Sequence, residues 1–183
     1  MSAPHLSFTE NEDANRLLAT DPLALLIGML LDQQFPMERA FLAPYLLGER
    51  LGSIDAARIA AMPEEELIEV YRGPPALHRF PGSMAKRTQA LCRHLLENVG
   101  DSAAELWTTA ADGDELMARL RALPGFGEAK ARIFIKVLGE RLQAAPQGWE
   151  RHAADWPSIA DVETYDDVAV LRDQKRAMKQ KRG

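Results

Sequence analysis

Residues Pro22 to Gln34 constrain the fold more than any other stretch. The segment reads PLALLIGMLLDQQ, and Leu23, Leu25, Leu26, Ile27, Met29, Leu30 and Leu31 point in nearly every direction around a helix. A helix without a polar face must be surrounded by other elements, so it belongs at the centre of the molecule. Asp21 offers an N-cap oxygen and Pro22 suits the first helical position. The ending Asp32-Gln33-Gln34-Phe35-Pro36 puts polar amides on the rim of that rod. Its apolar run, Leu23 to Leu31, falls well short of the roughly 20 residues a membrane-spanning helix needs.

The rest of the chain supplies what surrounds it. Helical spacing of apolar residues predicts helices over Asn11 to Leu18, Met37 to Leu47, Ile54 to Met62, Pro63 to Tyr71, Met84 to Asn98 with Ser83 as its cap, and Ala103 to Trp107. Residues 1 to 10 carry little pattern and are expected to be loose. No segment alternates as a strand would, and no hairpin turn of the Asn-Gly type occurs. With 46% apolar residues in 183 there is enough material for a core, so the expected fold is all-α, eight to ten helices in a single domain.

Leu120 to Gln143, LRALPGFGEAKARIFIKVLGERLQ, is the most distinctive stretch. Apolar positions Leu116, Met117, Leu120 and Leu123 mark one helix, and Ala131, Phe134, Ile135 and Leu138 mark the next. Pro124-Gly125-Phe126-Gly127 breaks the pattern between them, predicting a tight helical hairpin over about residues 114–141. Glycine tolerates positive φ and close backbone approach, while Phe126 is free to turn inward. The amides of Gly125, Gly127 and the following first turn lack helical acceptors and lie at the positive end of a dipole, an arrangement that accepts a phosphate. A plain αα-hairpin within a bundle has the same local pattern.

The run Leu-Pro-Gly-Phe-Gly-x-x-Lys-Ala with an apolar helix on each side resembles the helix-hairpin-helix of the HhH-GPD superfamily of base-excision DNA glycosylases, and further matches extend the likeness over about residues 20–165. The resemblance implies a two-lobed helical bundle, one lobe made mainly of residues 22–141 and the other completed by the termini. It implies double-stranded DNA with a damaged or mispaired base as partner, gripped through Pro124, Gly125, Phe126 and Gly127. Lys130 and Arg132 are expected to assist at the phosphate. Gln34, with Gln33 beside it, matches the glutamine that fills the gap left by a flipped base, although polar residues at a helix end are also ordinary caps. In Trp156-Pro157-Ser158-Ile159-Ala160-Asp161 the family's catalytic aspartate is best matched by Asp161, displaced by one place, with Asp155 in reserve. A solvated loop or a cap is the other reading of Asp161. Ala129 stands where bifunctional relatives carry a Schiff-base lysine, and Lys130, one residue on, is rotated by roughly 100°. The expected activity is therefore that of a monofunctional glycosylase, with a catalytically silent DNA-binding protein as the alternative.

Many relatives hold an iron–sulfur cluster on four thiolates. Cys92 is the only cysteine here, so one chain cannot do so, and no cofactor is expected. Cys92, near Leu91 and Leu95, reads as a core residue, and His5, His78, His94 and His152 form no metal-binding pattern. A net charge of −5 excludes indiscriminate attraction to nucleic acid, yet the charges are unevenly placed. Residues 72–94, 119–143 and the C-terminal stretch 172–183 together hold 17 of 22 basic residues and 3 of 27 acidic ones. A basic face on an acidic body fits local docking on phosphates. The N-terminus lacks signal-peptide character, so a cytoplasmic, nucleoid-associated monomer is expected.

Overall fold

A computed structural model describes residues 4–182. Among them are ten α-helices and no strand. The helices are α1 (Glu12–Thr20), α2 (Pro22–Leu31), α3 (Met37–Leu51), α4 (Ala56–Ala61), α5 (Glu64–Arg72), α6 (Pro81–Asn98), α7 (Glu105–Thr108), α8 (Gly113–Ala122), α9 (Glu128–Lys136) and α10 (Asp166–Arg182). No single one is long and apolar enough to cross a membrane.

As its composition requires, α2 is central: every residue from Leu23 to Leu31 is buried, and the helix packs against α1, α3 and α6. The Asp21 carboxylate accepts from the Leu23 and Ala24 amides at 3.0 and 3.2 Å, which starts the helix where cap chemistry puts it. Each large apolar side chain contributes about 1.5–3 kcal/mol on burial, so seven of them fix this helix firmly. The end differs from expectation. α2 stops at Leu31, and Asp32 caps it with its amide on the Met29 carbonyl at 3.3 Å. Gln33 and Gln34 thus stand in a turn beyond the helix.

Two other expectations need correction. Leu6, Phe8 and Thr9 are buried, with Phe8 edge-on to Phe41 at 5.0 Å, so residues 6–9 are packed on the core; residues 1–3 of the stretch expected to be loose lie outside the described residues. Helix α6 begins at Pro81, whose missing amide is no loss at a first helical position, and Ser83 lies inside the first turn instead of capping it.

α8 and α9 form the hairpin pair, and α9 runs on into a π-helical turn, Val137–Arg141. A strap over residues 144–158 then crosses both. Its Trp149 ring lies against Gly139, where a Cβ would sit 2.4 Å from the indole, so only glycine permits that contact. The Ala154 amide donates to the Arg132 carbonyl at 3.2 Å, tying the strap to α9. α10 buries Val168 and Leu171, and its basic half lies along the C-terminal end of α2 and the start of α3, where Arg172 pairs with Glu38.

Candidate functional site

The turn between α8 and α9 is built by its sequence. The Phe126 amide donates to the Leu123 carbonyl at 3.1 Å, with Pro124 and Gly125 between, and Gly125 has φ +83°. Proline followed by a positive-φ glycine defines a type II turn. A Cβ on Gly125 would stand 2.4 Å from Leu30 Cδ1, so the turn is seated on the last turn of α2. Phe126 turns inward and meets Phe134 edge-on at 6.2 Å. Gly127 is different: its φ of −85° suits any residue and no atom lies within 4 Å of a Cβ there. It caps α9 without a side-chain acceptor for the first-turn amides, and Gly125, Gly127, Glu128 and Ala129 are exposed. That surface offers unpaired N–H groups at a helix N-terminus, open to an anion. The Glu128 carboxylate in the same turn opposes one.

The two cations expected to assist are engaged elsewhere. Lys130 Nζ donates to the carbonyls of Met29 at 2.6 Å, Leu30 at 3.2 Å and Asp32 at 3.4 Å, closing the C-terminal end of α2. Burial lowers its pKa to about 8, against the pull of Asp32 and with a further push from Arg87 and Lys175. Three carbonyl acceptors favour the ammonium form and leave no lone pair for a nucleophile. Arg132 donates to the His152 and Ala153 carbonyls, both at 3.2 Å, and stacks over Trp156 at 5.0 Å. Both side chains brace the scaffold and do not reach toward the exposed amides.

Gln33 and Gln34 part company in the same way. Gln33 Nε2 donates to the Leu30 carbonyl at 2.8 Å, and its Oε1 accepts from Arg87 at 2.9 Å. Its carbonyl lies 3.0 Å from His78 Nε2. The Phe80 amide donates to His78 Nδ1 at 3.0 Å, so the proton sits on Nε2 and the neutral ring donates to Gln33. Burial lowers the His78 pKa, in keeping with that neutral form. Gln33 is therefore scaffold. Gln34 is exposed, with φ +51°, a left-handed conformation that costs a non-glycine residue about 1–2 kcal/mol.

Beside Gln34 opens a cleft of about 700 Å³. Asp32, Gln34 and Arg79 line one side, and Lys175, Arg176 and Lys179 of α10 the other. Next to it, the Arg79 guanidinium lies 5.2 Å over the exposed Phe80 ring. Asp32 is the one carboxylate among the lining residues. Burial raises its pKa, Lys175 and Lys130 oppose the rise, and Glu38 adds to it. Hairpin and cleft flank the same final turn of α2, and Lys130 joins the three.

Asp161 lies elsewhere. Its Oδ2 accepts from the Ser158 amide at 2.9 Å in a capping box, and its Oδ1 accepts from Lys136 Nζ at 2.8 Å. Lys136 is the last residue of α9, about 13 Å along the helix from Gly127. The hollow beside Asp161 also carries Glu163 and Asp167, an acidic lining that repels phosphate. Asp155 is exposed on the strap, next to the Trp156 that Arg132 covers. The structure thus places Gln34 at the cleft, four residues beyond the Leu30 on which the hairpin is seated, and Asp161 in a capping box with an ion pair to Lys136.

Sequence reasoning missed Asp32, His78, Arg79 and Phe80 as a group. The basic window from residue 72 and the polar ending of α2 were the available signals, and neither told that they meet. No protein-family model matches the chain, and no curated protein matches it.

Proposed function

We propose that the protein is a base-excision DNA glycosylase that grips duplex DNA through a helix-hairpin-helix, α8–turn–α9, and extrudes a damaged or mispaired nucleotide into the cleft between two helical lobes. The observation that carries the reading is the position of Gln34. It stands exposed in a left-handed conformation on the edge of a cation-lined cleft, four residues beyond the Leu30 on which the turn of unpaired amides is seated. An amide held out in this way has the shape to occupy the space of an everted base and to hydrogen-bond its orphaned partner.

Cleavage of the N-glycosidic bond sends both electrons of the C1′–N bond out with the base, which takes a proton from solvent. Water adds to C1′ and loses its proton, so the net reaction is hydrolysis. The reaction is monofunctional: Ala129 has no amine, and Lys130 is held as an ammonium on three carbonyls. The partner is double-stranded DNA, and the reading calls for no cofactor.

The test is a panel of duplexes carrying uracil, alkylated purines, oxidised purines and mismatches, assayed for base release and for binding as salt is raised. Base release from at least one duplex, no adduct on borohydride treatment, and affinity that falls steeply with salt are expected. Tight binding with no base released anywhere would favour the silent DNA-binding reading, to which Asp161's engagement by Lys136 lends support. Absence of DNA binding at low salt would sink both.

A further inference from the structure

We infer that Asp32, the C-cap of the central helix, is the carboxylate that faces the sugar when the base departs. The inference rests on the glycosylase reading above and deepens it, because the residue sits on an element other than the one expected to supply this group.

Position is the first argument. Asp32 is the only acidic residue lining the cleft and stands two residues before Gln34. If Gln34 takes the place of the everted base, the sugar of that nucleotide passes the turn that carries Asp32. Availability is the second. The Asp161 carboxylate accepts from an amide and from an ammonium, whereas the influences on Asp32 are burial and the charges of Lys175, Lys130 and Glu38, with no hydrogen bond among them. The Asp32 oxygens are therefore open to a ligand, and Lys175 and Lys130 oppose the burial that disfavours its charge. Rigidity is the third. The Asp32 amide is tied to the Met29 carbonyl, its own carbonyl receives Lys130, and the helix behind it is buried throughout. A preorganised charge stabilises a transition state without reorganising when the reaction occurs.

The surrounding cations complete the arrangement. Arg79, Arg176 and Lys179 are exposed at the rim and suit the phosphates on either side of the everted sugar. Neutralised by those phosphates, they leave Asp32 as the local negative charge where C1′ and the ring oxygen become positive. As the glycosidic electron pair leaves with the base, Asp32 stabilises the sugar cation. It then accepts the proton of the water that adds to C1′ and passes it to solvent.

The experiment uses the full chain and two duplexes with an abasic analogue, one a pyrrolidine whose ring nitrogen is cationic and the other a neutral tetrahydrofuran. The wild-type protein should bind the pyrrolidine duplex about tenfold more tightly, the order expected of one charge-assisted contact. Asp32→Asn should bring the two affinities within about twofold while keeping the tetrahydrofuran affinity, and Asp161→Asn should retain the preference. Thermal unfolding of each variant checks the fold, and Asp32→Ser, which also lacks the charge, gives an independent second variant. A preference that survives in both Asp32 variants, or one lost in Asp161→Asn, overturns the assignment. Equal wild-type affinity for the two analogues overturns it while leaving the DNA reading intact. Binding to neither duplex removes the DNA reading and the assignment together.

Discussion

Substitution of the two hairpin glycines separates folding from phosphate capture, because the structure gives them opposite surroundings. At Gly125 an alanine must adopt φ +83°, costing about 1–2 kcal/mol, and its Cβ would fall 2.4 Å from Leu30 Cδ1. Relieving such overpacking costs about 1–3 kcal/mol more, so Gly125→Ala should lose about 2–5 kcal/mol of stability. At Gly127 the backbone is extended and the space is empty, so even valine fits. There the loss of a good N-cap residue, up to about 1 kcal/mol, is offset by the smaller entropy of the unfolded chain, about 0.4–1 kcal/mol. Gly127→Val should therefore fold with nearly wild-type stability. Its side chain nonetheless keeps a phosphate oxygen from the roughly 2.9 Å an amide requires. Losing one charge-assisted bond of about 1.5–3 kcal/mol should weaken binding about tenfold to a hundredfold. Because a phosphate carries no sequence, the loss should be the same for every duplex. Denaturant unfolding and fluorescence anisotropy on several unrelated duplexes measure the two quantities. Unchanged affinity in Gly127→Val would mean that no phosphate sits on the turn. Unchanged stability in Gly125→Ala would refute its seating on Leu30.

Glu128→Gln removes the one carboxylate that opposes an anion in the first turn of α9, so duplex binding should tighten about two- to fivefold at low salt, with the gain shrinking as salt is raised; weaker binding would refute the site. Asp32→Asn should raise the unfolding temperature at neutral pH. With its folded pKa raised above 3.8 by burial and Glu38 and held back by Lys175 and Lys130, Asp32 contributes stability that is present below pH 3.8 and lost as pH rises through the folded value. Calorimetry across acidic to neutral pH should show the gain vanish toward about pH 3, and a gain independent of pH would contradict this account.

What was legible in the sequence was local. Asp21-Pro22 starts α2, and Leu-Pro-Gly-Phe-Gly makes the turn with Phe126 inward, because caps and turns are decided by residues within four places of one another. Where α2 ends was not legible. Its last carbonyls are taken by Lys130, 101 residues from Met29 in the chain, and no pattern near Leu31 announces that partner. The same distance effect misplaced Lys130 and Arg132, whose charge is plain in the sequence but whose acceptors belong to other segments. It also hid the cleft, which forms only when α10 folds back beside the turn at Asp32, and the packing of Leu6 and Phe8 against α3 and its neighbours. The contact of Asp161 with Lys136, 25 residues earlier in the chain, was likewise not legible, whereas its capping of the Ser158 turn was local.

Three locally unfavourable features gather at the end of α2: a left-handed glutamine at Gln34, a carboxylate without a hydrogen-bond donor at Asp32, and an ammonium drawn into the protein at Lys130. A second left-handed glutamine, Gln143, and a buried Glu38 Oε2 without a partner occur singly elsewhere, whereas the end of α2 carries three such features together. Strain of this kind persists only where the surroundings over-determine it. Here the surroundings are the buried residues Leu23 to Leu31 behind the turn and the hairpin seated on Leu30. Under the glycosylase reading that rigidity has a use. The amides that would hold a phosphate, the glutamine that would enter the duplex and the carboxylate that would meet the sugar all flank one short segment, so their spacing is set by covalent geometry and packing. No loop has to close to bring them into register. A change that loosens the segment, such as removal of the Lys130 ammonium from its three carbonyls, should then impair grip and chemistry together, although Lys130 touches neither the phosphate nor the sugar.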